Sequence, residues 1–394
     1  MINLKMKKVS LLFLILVLAL VGYQYSRPVP GVTADATLTT PKIGPAADLP
    51  WPAYGQGALA AEGYGMLQTH GEQKAVPMAS VTKVVTALAI LKQKPLAVGE
   101  QGPNITITSA DVAVYNNYYS QGGSVVKVEA GEQISEYQAL QALLIPSANN
   151  IADTLVVWAF GSMDNYVAFA NKTLQAMGLS QTKVVDASGF SAGSVSSAQD
   201  LAKLGLATLD NQLLANIVSQ ETADIPIAGT LNNVNWLLGS GGVIGIKTGN
   251  TTEAGGCFLF AAKRTVNGQN VTLVGALMQA PDLNTVIKDA RAIITASDGG
   301  FESVKVAAKD QVVGTYKTPW GATADAVASQ DLSVLAWRGS QLQASAKLNK
   351  IKPAAKASVS VGNIIVTSAQ KTVSTPAVLK SSLSAPPWSW RIFR

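Results

Sequence analysis

Ser80 and Lys83 stand three residues apart at the head of VTKVVTALAI, an apolar run whose only charge is Lys83. On a helix, residues three apart share a face, so Lys83 points back toward the Ser80 hydroxyl and can take its proton. That pairing is a serine nucleophile with a lysine as its base. Pro77 favours extended backbone before it and suits a helix that begins shortly afterwards. Val81, Thr82, Val84, Val85 and Thr86 are β-branched and favour a strand, whereas Ala87 to Leu91 favour a helix. A lysine snorkelling from a core helix would look the same, so the pair needs partners elsewhere in the chain.

The other ways of activating a nucleophile are scarce. The 394 residues include one histidine, His70, and one cysteine, Cys257. A Ser-His-Asp or Cys-His enzyme would have to use His70, which lies in LQTHGEQK, a stretch that reads as a polar hairpin turn. A histidine or cysteine metal cluster is excluded, and no metal or other cofactor is expected. One cysteine also excludes an intramolecular disulfide.

With 48% hydrophobic and 14% charged residues the chain reads as globular, and it is long enough for a large core plus a second domain. The net charge of +6 is unevenly placed: residues 1–30 hold four basic and no acidic residues, residues 301–394 hold twelve basic and four acidic, and the middle carries −6. The basic tail suits an anionic membrane surface or wall polymer. No aromatic-basic motif accompanies it, so no nucleic-acid partner is expected.

Lys5, Lys7 and Lys8 precede VSLLFLILVLALVGY, which predicts a signal peptide or N-terminal membrane anchor over 1–23 and export of the rest. The Ala34-Asp35-Ala36 stretch lies far beyond that run for a cleavage site, which favours an uncleaved anchor. Residues 24–52 contain six prolines and read as a linker, able to extend on the order of 90 Å at ~3.1 Å per residue. Residues 53–300 read as the catalytic domain. GALAAEG and YGMLQTHGEQKAV form a strand pair. ISEYQALQALLI is a helix capped by Ser135 and Gln138, and PSANNIADTLVVWAFG is a second helix ending at Gly161. GGVIGIKTG, GGCFLFAAKRTV and NVTLVGALMQA are strands, the last two joined by Asn267-Gly268, and Asp282 to Ser297 is a closing helix. This predicts an α+β fold, an antiparallel sheet covered by helices. Residues 301–394 read as a C-terminal all-β domain.

Three elements fall in order along this framework: Ser80-Val81-Thr82-Lys83 at a helix start, Ser147-Ala148-Asn149 in an inter-helix turn, and Lys247-Thr248-Gly249 at a strand end. Tyr115-Asn116-Asn117 is a rival for the middle one, without flanking apolar helices. The three motifs, with DASGF at Asp186 to Phe190 and the run from Lys247 to Arg264, resemble the serine D-alanyl-D-alanine carboxypeptidases among the low-molecular-mass penicillin-binding proteins, peptidase family S11. The resemblance covers about Tyr54 to Gly300.

It implies a β-lactamase/penicillin-binding-protein-like fold and hydrolysis of the terminal D-Ala-D-Ala bond of peptidoglycan stem pentapeptides through a serine acyl-enzyme. By that resemblance Ser80 is the nucleophile and Lys83 its base, Ser147 relays a proton to the leaving amine, and Asn149 holds Lys83 and the substrate backbone. Lys247 and Thr248 would bind the terminal carboxylate, Gly249 would let substrate lie beside the strand, and the N–H groups of Ser80 and Asn250 would form the oxyanion hole. β-Lactam antibiotics would be covalent inhibitors, acting at the extracytoplasmic face of the bacterial membrane or in the wall. Asp153 and Trp158 read as structural. The alternatives are a serine β-lactamase on the same fold and a non-catalytic wall-binding scaffold. Glu221, the one glutamate between Asn149 and Lys247, lacks the Glu-x-x-Asn context of a deacylating base. The family anchors through a C-terminal amphipathic helix, and APPWSWRIFR is too short and too rich in proline to be one.

Overall fold

The computed structural model describes residues 2–394; Met1 and the side chains of residues 2–5, Lys5 among them, lie outside the described residues. The chain divides into two compact units, residues 46–301 and residues 1–45 with 302–394.

The larger unit is built on a five-stranded antiparallel sheet, in the order Val243–Thr251, Gly255–Val266, Gln269–Ala280, Gln56–Ala61, Gly65–His70. Asn267 and Gly268, at φ 49° and 74°, close the hairpin between the long strands, since a two-residue turn with both φ positive matches strand twist. Along the second strand Cys257, Leu259 and Ala261 join one core with the helices Thr82–Gln93, Glu136–Leu144, Asn149–Phe160 and Ala198–Asp210. Phe258 and Phe260 are buried outside that core, and the helix Leu283–Ala296 packs along the same strand. A period of two with both sets buried is the mark of a sheet covered on both faces.

Thr82–Gln93 lies at the centre of the helical part, and nine of its twelve residues are buried. Burial on nearly every side explains how β-branched residues are tolerated there, because packing outweighs a propensity cost of tenths of a kcal/mol per residue. The expected capping box is present, with Ser135 Oγ accepting from the Gln138 amide at 3.1 Å. Gly161 ends its helix at φ 80°. The strand expected to continue from Tyr64 to Val76 stops at His70, whose ring stacks on Trp51 with centroids 5.6 Å apart.

The smaller unit carries a six-stranded sheet in the order Ala34–Ala36, Val312–Lys317, Thr323–Ala328, Lys371–Leu379, Ser360–Ser368, Leu342–Leu348. Its core holds Val313, Tyr316, Ala326, Ile364, Val366 and Leu379. Two features depart from an all-β tail preceded by a free linker. The proline-rich segment is part of the sheet unit: Ala34–Ala36 pairs with Gly314 to Tyr316, Val32 and Ile351 exchange backbone hydrogen bonds at 2.8 and 2.9 Å, and the Gly44 amide donates to Glu302 at 2.7 Å. Prolines hold such a segment extended and are tolerated on a sheet edge, where their missing N–H costs nothing. Residues from Ala47 to Trp51 belong instead to the larger unit, where Gln68 donates to the Ala47 carbonyl and accepts from Trp51. The second departure is a helix, Trp388–Phe393. The apolar N-terminal run is a helix from Ile2 to Ser26, of which Met6–Ser26 is long and apolar enough to cross a membrane.

Candidate active site

Ser80 sits in a single 3-10 turn, Ala79–Val81, that leads directly into Thr82–Gln93. The turn starts from Ala79 at φ 47°, a left-handed conformation that costs a non-glycine residue energy and that surrounding structure must enforce. Part of that enforcement is local, since Thr82 Oγ1 donates to the Ala79 carbonyl at 2.8 Å. The result is a half-buried Ser80 and, one turn on, a Lys83 with no exposure.

Lys83 Nζ has three neighbours: Ser80 Oγ at 2.8 Å, Asn149 Oδ1 at 2.7 Å and the Ser188 carbonyl at 2.8 Å. Two of these can only accept. A neutral amine has two N–H groups and one lone pair, so with its hydrogens on Asn149 and Ser188 the lone pair faces the one neighbour that can donate, the Ser80 hydroxyl. Burial in the first place, and the cation of Lys247 in the second, hold the Lys83 amine well below the usual lysine range. Geometry and electrostatics therefore both favour a neutral Lys83 amine with its lone pair toward Ser80.

Each acceptor has its own support. The Ser188 carbonyl belongs to Asp186-Ala187-Ser188-Gly189-Phe190, a loop tied by Asp186, which accepts from the amides of Phe190 at 2.8 Å and Ser191 at 3.2 Å and from the hydroxyls of Ser188 and Ser194. Thr86, one turn after Lys83, donates to the Ala187 carbonyl at 2.6 Å, so two consecutive loop carbonyls dock on one helix face. Asn149 opens the helix Asn149–Phe160, and its amide donates to the Ser124 carbonyl at 2.8 Å. Asn150 pins the same loop through both backbone groups of Val126. Ser147 stands at φ 69° and is 4% exposed, and among the described residues its hydroxyl has no hydrogen-bond partner. A buried hydroxyl without a partner is costly in a purely structural role.

Lys247 and Thr248 lie on the edge strand Val243–Thr251, buried at 1% and 4% exposure. Among the described residues the Lys247 ammonium makes one hydrogen bond, to the Thr248 carbonyl at 3.1 Å, and burial pushes its pKa down to about 7. Gly249 approaches the Ala79–Val81 turn so closely that a Cβ there would lie 3.0 Å from the Ser80 amide nitrogen. Asn250 follows on the same strand, opposite Gly256. Cys257, opposite Gly249, is buried with its thiol pushed up to about 11, which leaves it unreactive.

The eight residues singled out in the sequence thus fall on one turn and the helix it leads into, one inter-helix bend and one edge strand; hydrogen bonds join Lys83 to Ser80 and Asn149, and Gly249 lies close against the Ser80 turn. The rival Tyr115-Asn116-Asn117 lies within the helix Ser109–Ser120 and makes no hydrogen bond with Lys83 among the described residues. Sequence reasoning missed the Ser188 carbonyl, for which DASGF was the available signal. It also missed Tyr118, and it read Asp153 as structural; the two side chains meet at 3.0 Å. Asp153 is one helical turn after Asn149, its carboxyl is raised to about 6 chiefly by burial, and its charge acts on Lys83. Trp158 lies under the Lys94 ammonium, at 5.4 Å, away from these groups. Among the described residues no group of three or more His, Cys, Asp or Glu could hold a metal ion.

Fold and site together define a penicillin-binding-protein architecture. The chain belongs to the D-alanyl-D-alanine carboxypeptidase family S11, whose model matches residues 62–281, more than half of the chain. It is 28% identical over 221 residues to a D-alanyl-D-alanine endopeptidase of Pseudomonas aeruginosa, covering 53% of this chain and 66% of that one. It is 24% identical over 294 residues to the D-alanyl-D-alanine carboxypeptidase DacF of Bacillus subtilis, covering 72% of each. Among solved structures, penicillin binding protein 5 of Haemophilus influenzae superposes with a TM-score of 0.59 at 20% identity, over 89% of this chain and all of that one, a likeness of fold.

Proposed function

We propose that this protein hydrolyses the terminal D-Ala-D-Ala bond of peptidoglycan stem pentapeptides through an acyl-enzyme on Ser80. The observation that carries the reading is the position of Lys83 Nζ, with two obligate acceptors and the Ser80 hydroxyl as its three neighbours. Lys83 takes the Ser80 proton as Oγ attacks the penultimate carbonyl, and the C–N bond of the tetrahedral adduct then breaks. The departing D-alanine amine receives its proton from Lys83 through the Ser147 hydroxyl, which among the described residues has no other partner to release. Water attacks the ester in the second half, losing its proton to the same pair and returning Ser80 to its starting form.

Lys247 and Thr248 are assigned to the free terminal carboxylate and Gly249 to the close passage of substrate backbone along the edge strand. The amides of Ser80 and Asn250 are assigned to the oxyanion, where losing one donor costs about 3 to 4 kcal/mol. A β-lactam would acylate Ser80 by the same route.

The helix Met6–Ser26 is assigned as a membrane anchor, with Lys7 and Lys8 on the cytoplasmic side and the chain after Ser26 outside. The strand Ala34–Ala36 supports retention of that helix, because cleavage after Ala36 would strip the edge of the six-stranded sheet. Sequencing the N-terminus of the exported protein tests this; a start at Thr37 would overturn it.

The catalytic reading is tested with a fluorescent penicillin and D-alanine release from a free-acid pentapeptide. Stable labelling and release, both abolished by Ser80→Ala, are expected. Rapid loss of the label would favour a β-lactamase, and no labelling a wall-binding scaffold.

A further inference from the structure

Two segments far apart in sequence meet where the apolar N-terminal helix ends. The helix Trp388–Phe393 packs beside Ile2–Ser26. The Arg391 guanidinium lies 4.7 Å from the centroid of the Tyr25 ring and donates to the Tyr25 carbonyl at 3.4 Å. Arg394 donates to the carbonyls of Arg27 at 2.6 Å and Pro28 at 3.2 Å. The last carbonyls of a helix lack partners within it, and the dipole there favours a cation, which suits Arg391 on the Tyr25 carbonyl, while Arg394 binds the two carbonyls just beyond the helix end. Arg394 also lies 4.9 Å from the centroid of Trp390, whose ring packs edge-on against Trp320, and Trp320 donates to the Ser384 carbonyl at 3.3 Å. The junction is therefore tied to the exit of the helix on one side and to the six-stranded unit on the other.

The same junction leaves large apolar side chains outside. Trp388 and Phe393 are 68% and 81% exposed, and Tyr23 and Tyr25 are 68% and 50% exposed. Exposed aromatics gathered at one place mark an interaction surface. Tyrosine, tryptophan and arginine at the end of a span long enough to cross a bilayer have the composition of the headgroup layer. Arg27, Arg391 and Arg394 add three positive charges, which suits anionic lipid.

We propose that Tyr23, Tyr25, Trp388 and Phe393 form one interfacial collar, assembled from both segments by Arg391 and Arg394, that sits in the headgroup layer of an anionic bilayer. The proposal rests on the anchor reading given above. Six residues of helix bury too little apolar surface to hold a membrane unaided, so the collar is a shared structure and the anchor remains the N-terminal helix. Its effect is to hold the six-stranded unit against the lipid surface.

The test uses the full chain in vesicles of phosphatidylcholine and phosphatidylglycerol, with bromine placed either near the headgroups or deep in the acyl chains. The Trp388 signal is taken as the difference between wild type and Trp388→Phe. Shallow bromine should quench it more than deep bromine, and omission of phosphatidylglycerol should weaken the quenching. The double variant Arg391→Ala/Arg394→Ala should lose most of the Trp388 quenching while still floating with vesicles and still reacting with penicillin. Trp388 left unquenched in wild type that floats, or quenched equally in the double variant, would overturn the collar and leave the anchor standing. Wild type that does not float would overturn the anchor, and the collar with it.

Discussion

Lys83 and Lys247 are buried within electrostatic reach of each other, and the charge on Lys247 is one of the forces that keep Lys83 neutral. The two lysines have opposite tasks in the proposed reaction. Lys83 must be neutral to accept a proton, which fails as pH falls through its depressed pKa. Lys247 must be charged to hold a carboxylate, which fails as pH rises through about 7. The profile of kcat/KM for a free-acid pentapeptide should therefore be a bell whose alkaline limb starts near 7. A bound carboxylate favours the charged form of Lys247, so the alkaline limb of kcat should lie at higher pH than that of kcat/KM. A kcat/KM profile level from neutral to strongly alkaline pH would contradict this division of labour.

Removing the Lys247 ammonium and removing the substrate carboxylate delete the same interaction from its two sides. Lys247→Ala with the free acid, and wild type with the amidated pentapeptide, should each lose about 10- to 100-fold in kcat/KM, as expected for a charge-assisted hydrogen bond. The variant acting on the amide should lose little more than either change alone. Simple multiplication of the two losses would show that Lys247 acts elsewhere.

The motifs are legible in the sequence because each couples a residue type to a local signal: Pro77 before a helix, Gly161 after one, Asn267-Gly268 between strands. Asn267-Gly268 accounts for the pairing of Gly255–Val266 with Gln269–Ala280, whereas the pairing of Gln269–Ala280 with Gln56–Ala61, far away in sequence, has no local signal. The Ser188 carbonyl is a backbone group and has no letter of its own; only the aspartate and glycine of DASGF point to a tight loop there. Tyr118 and Asp153 meet because the helices Ser109–Ser120 and Asn149–Phe160 pack together, and a single carboxylate in a helical pattern says nothing about what lies across from it. The prolines between Arg27 and Trp51 describe extended backbone correctly. They do not say that the extended segment adds an edge strand to a sheet formed some 280 residues later, between Ala34 and Tyr316.

Asp153 should modulate the acid limb of the reaction, which burial of Lys83 sets in the first place. Its ionised carboxylate favours the protonated form of Lys83, so Asp153→Asn should lower the Lys83 pKa and move the acid limb of kcat/KM to lower pH. A displacement of about half a pH unit would correspond to about 0.7 kcal/mol of charge interaction. Tyr118→Phe keeps the carboxyl but removes the hydrogen bond at 3.0 Å that favours its ionised form, so it should move the acid limb in the same direction by a smaller amount. Equal displacement in both variants would mean that the pair acts by packing.

Gly189 and Gly178 separate the cost of a backbone conformation from the cost of a close approach. Both are left-handed, at φ 73° and 72°. A Cβ at Gly178 meets nothing within 4 Å, whereas at Gly189 it runs into the carbonyl of Ala79, the residue before Ser80. Gly178→Ala should therefore cost only the conformational penalty, about 1 to 2 kcal/mol, and leave penicillin acylation unchanged. Gly189→Ala carries the same penalty and also pushes apart the Ala79 turn and the loop whose Ser188 carbonyl holds Lys83. Misplacement of reacting groups by about 1 Å costs about 100-fold in rate, and acylation of this variant should fall by that order even where it remains folded. Thermal unfolding and stopped-flow labelling of the two variants side by side make the comparison. If both lose stability equally and both acylate normally, the contact between Gly189 and Ala79 does not position the nucleophile.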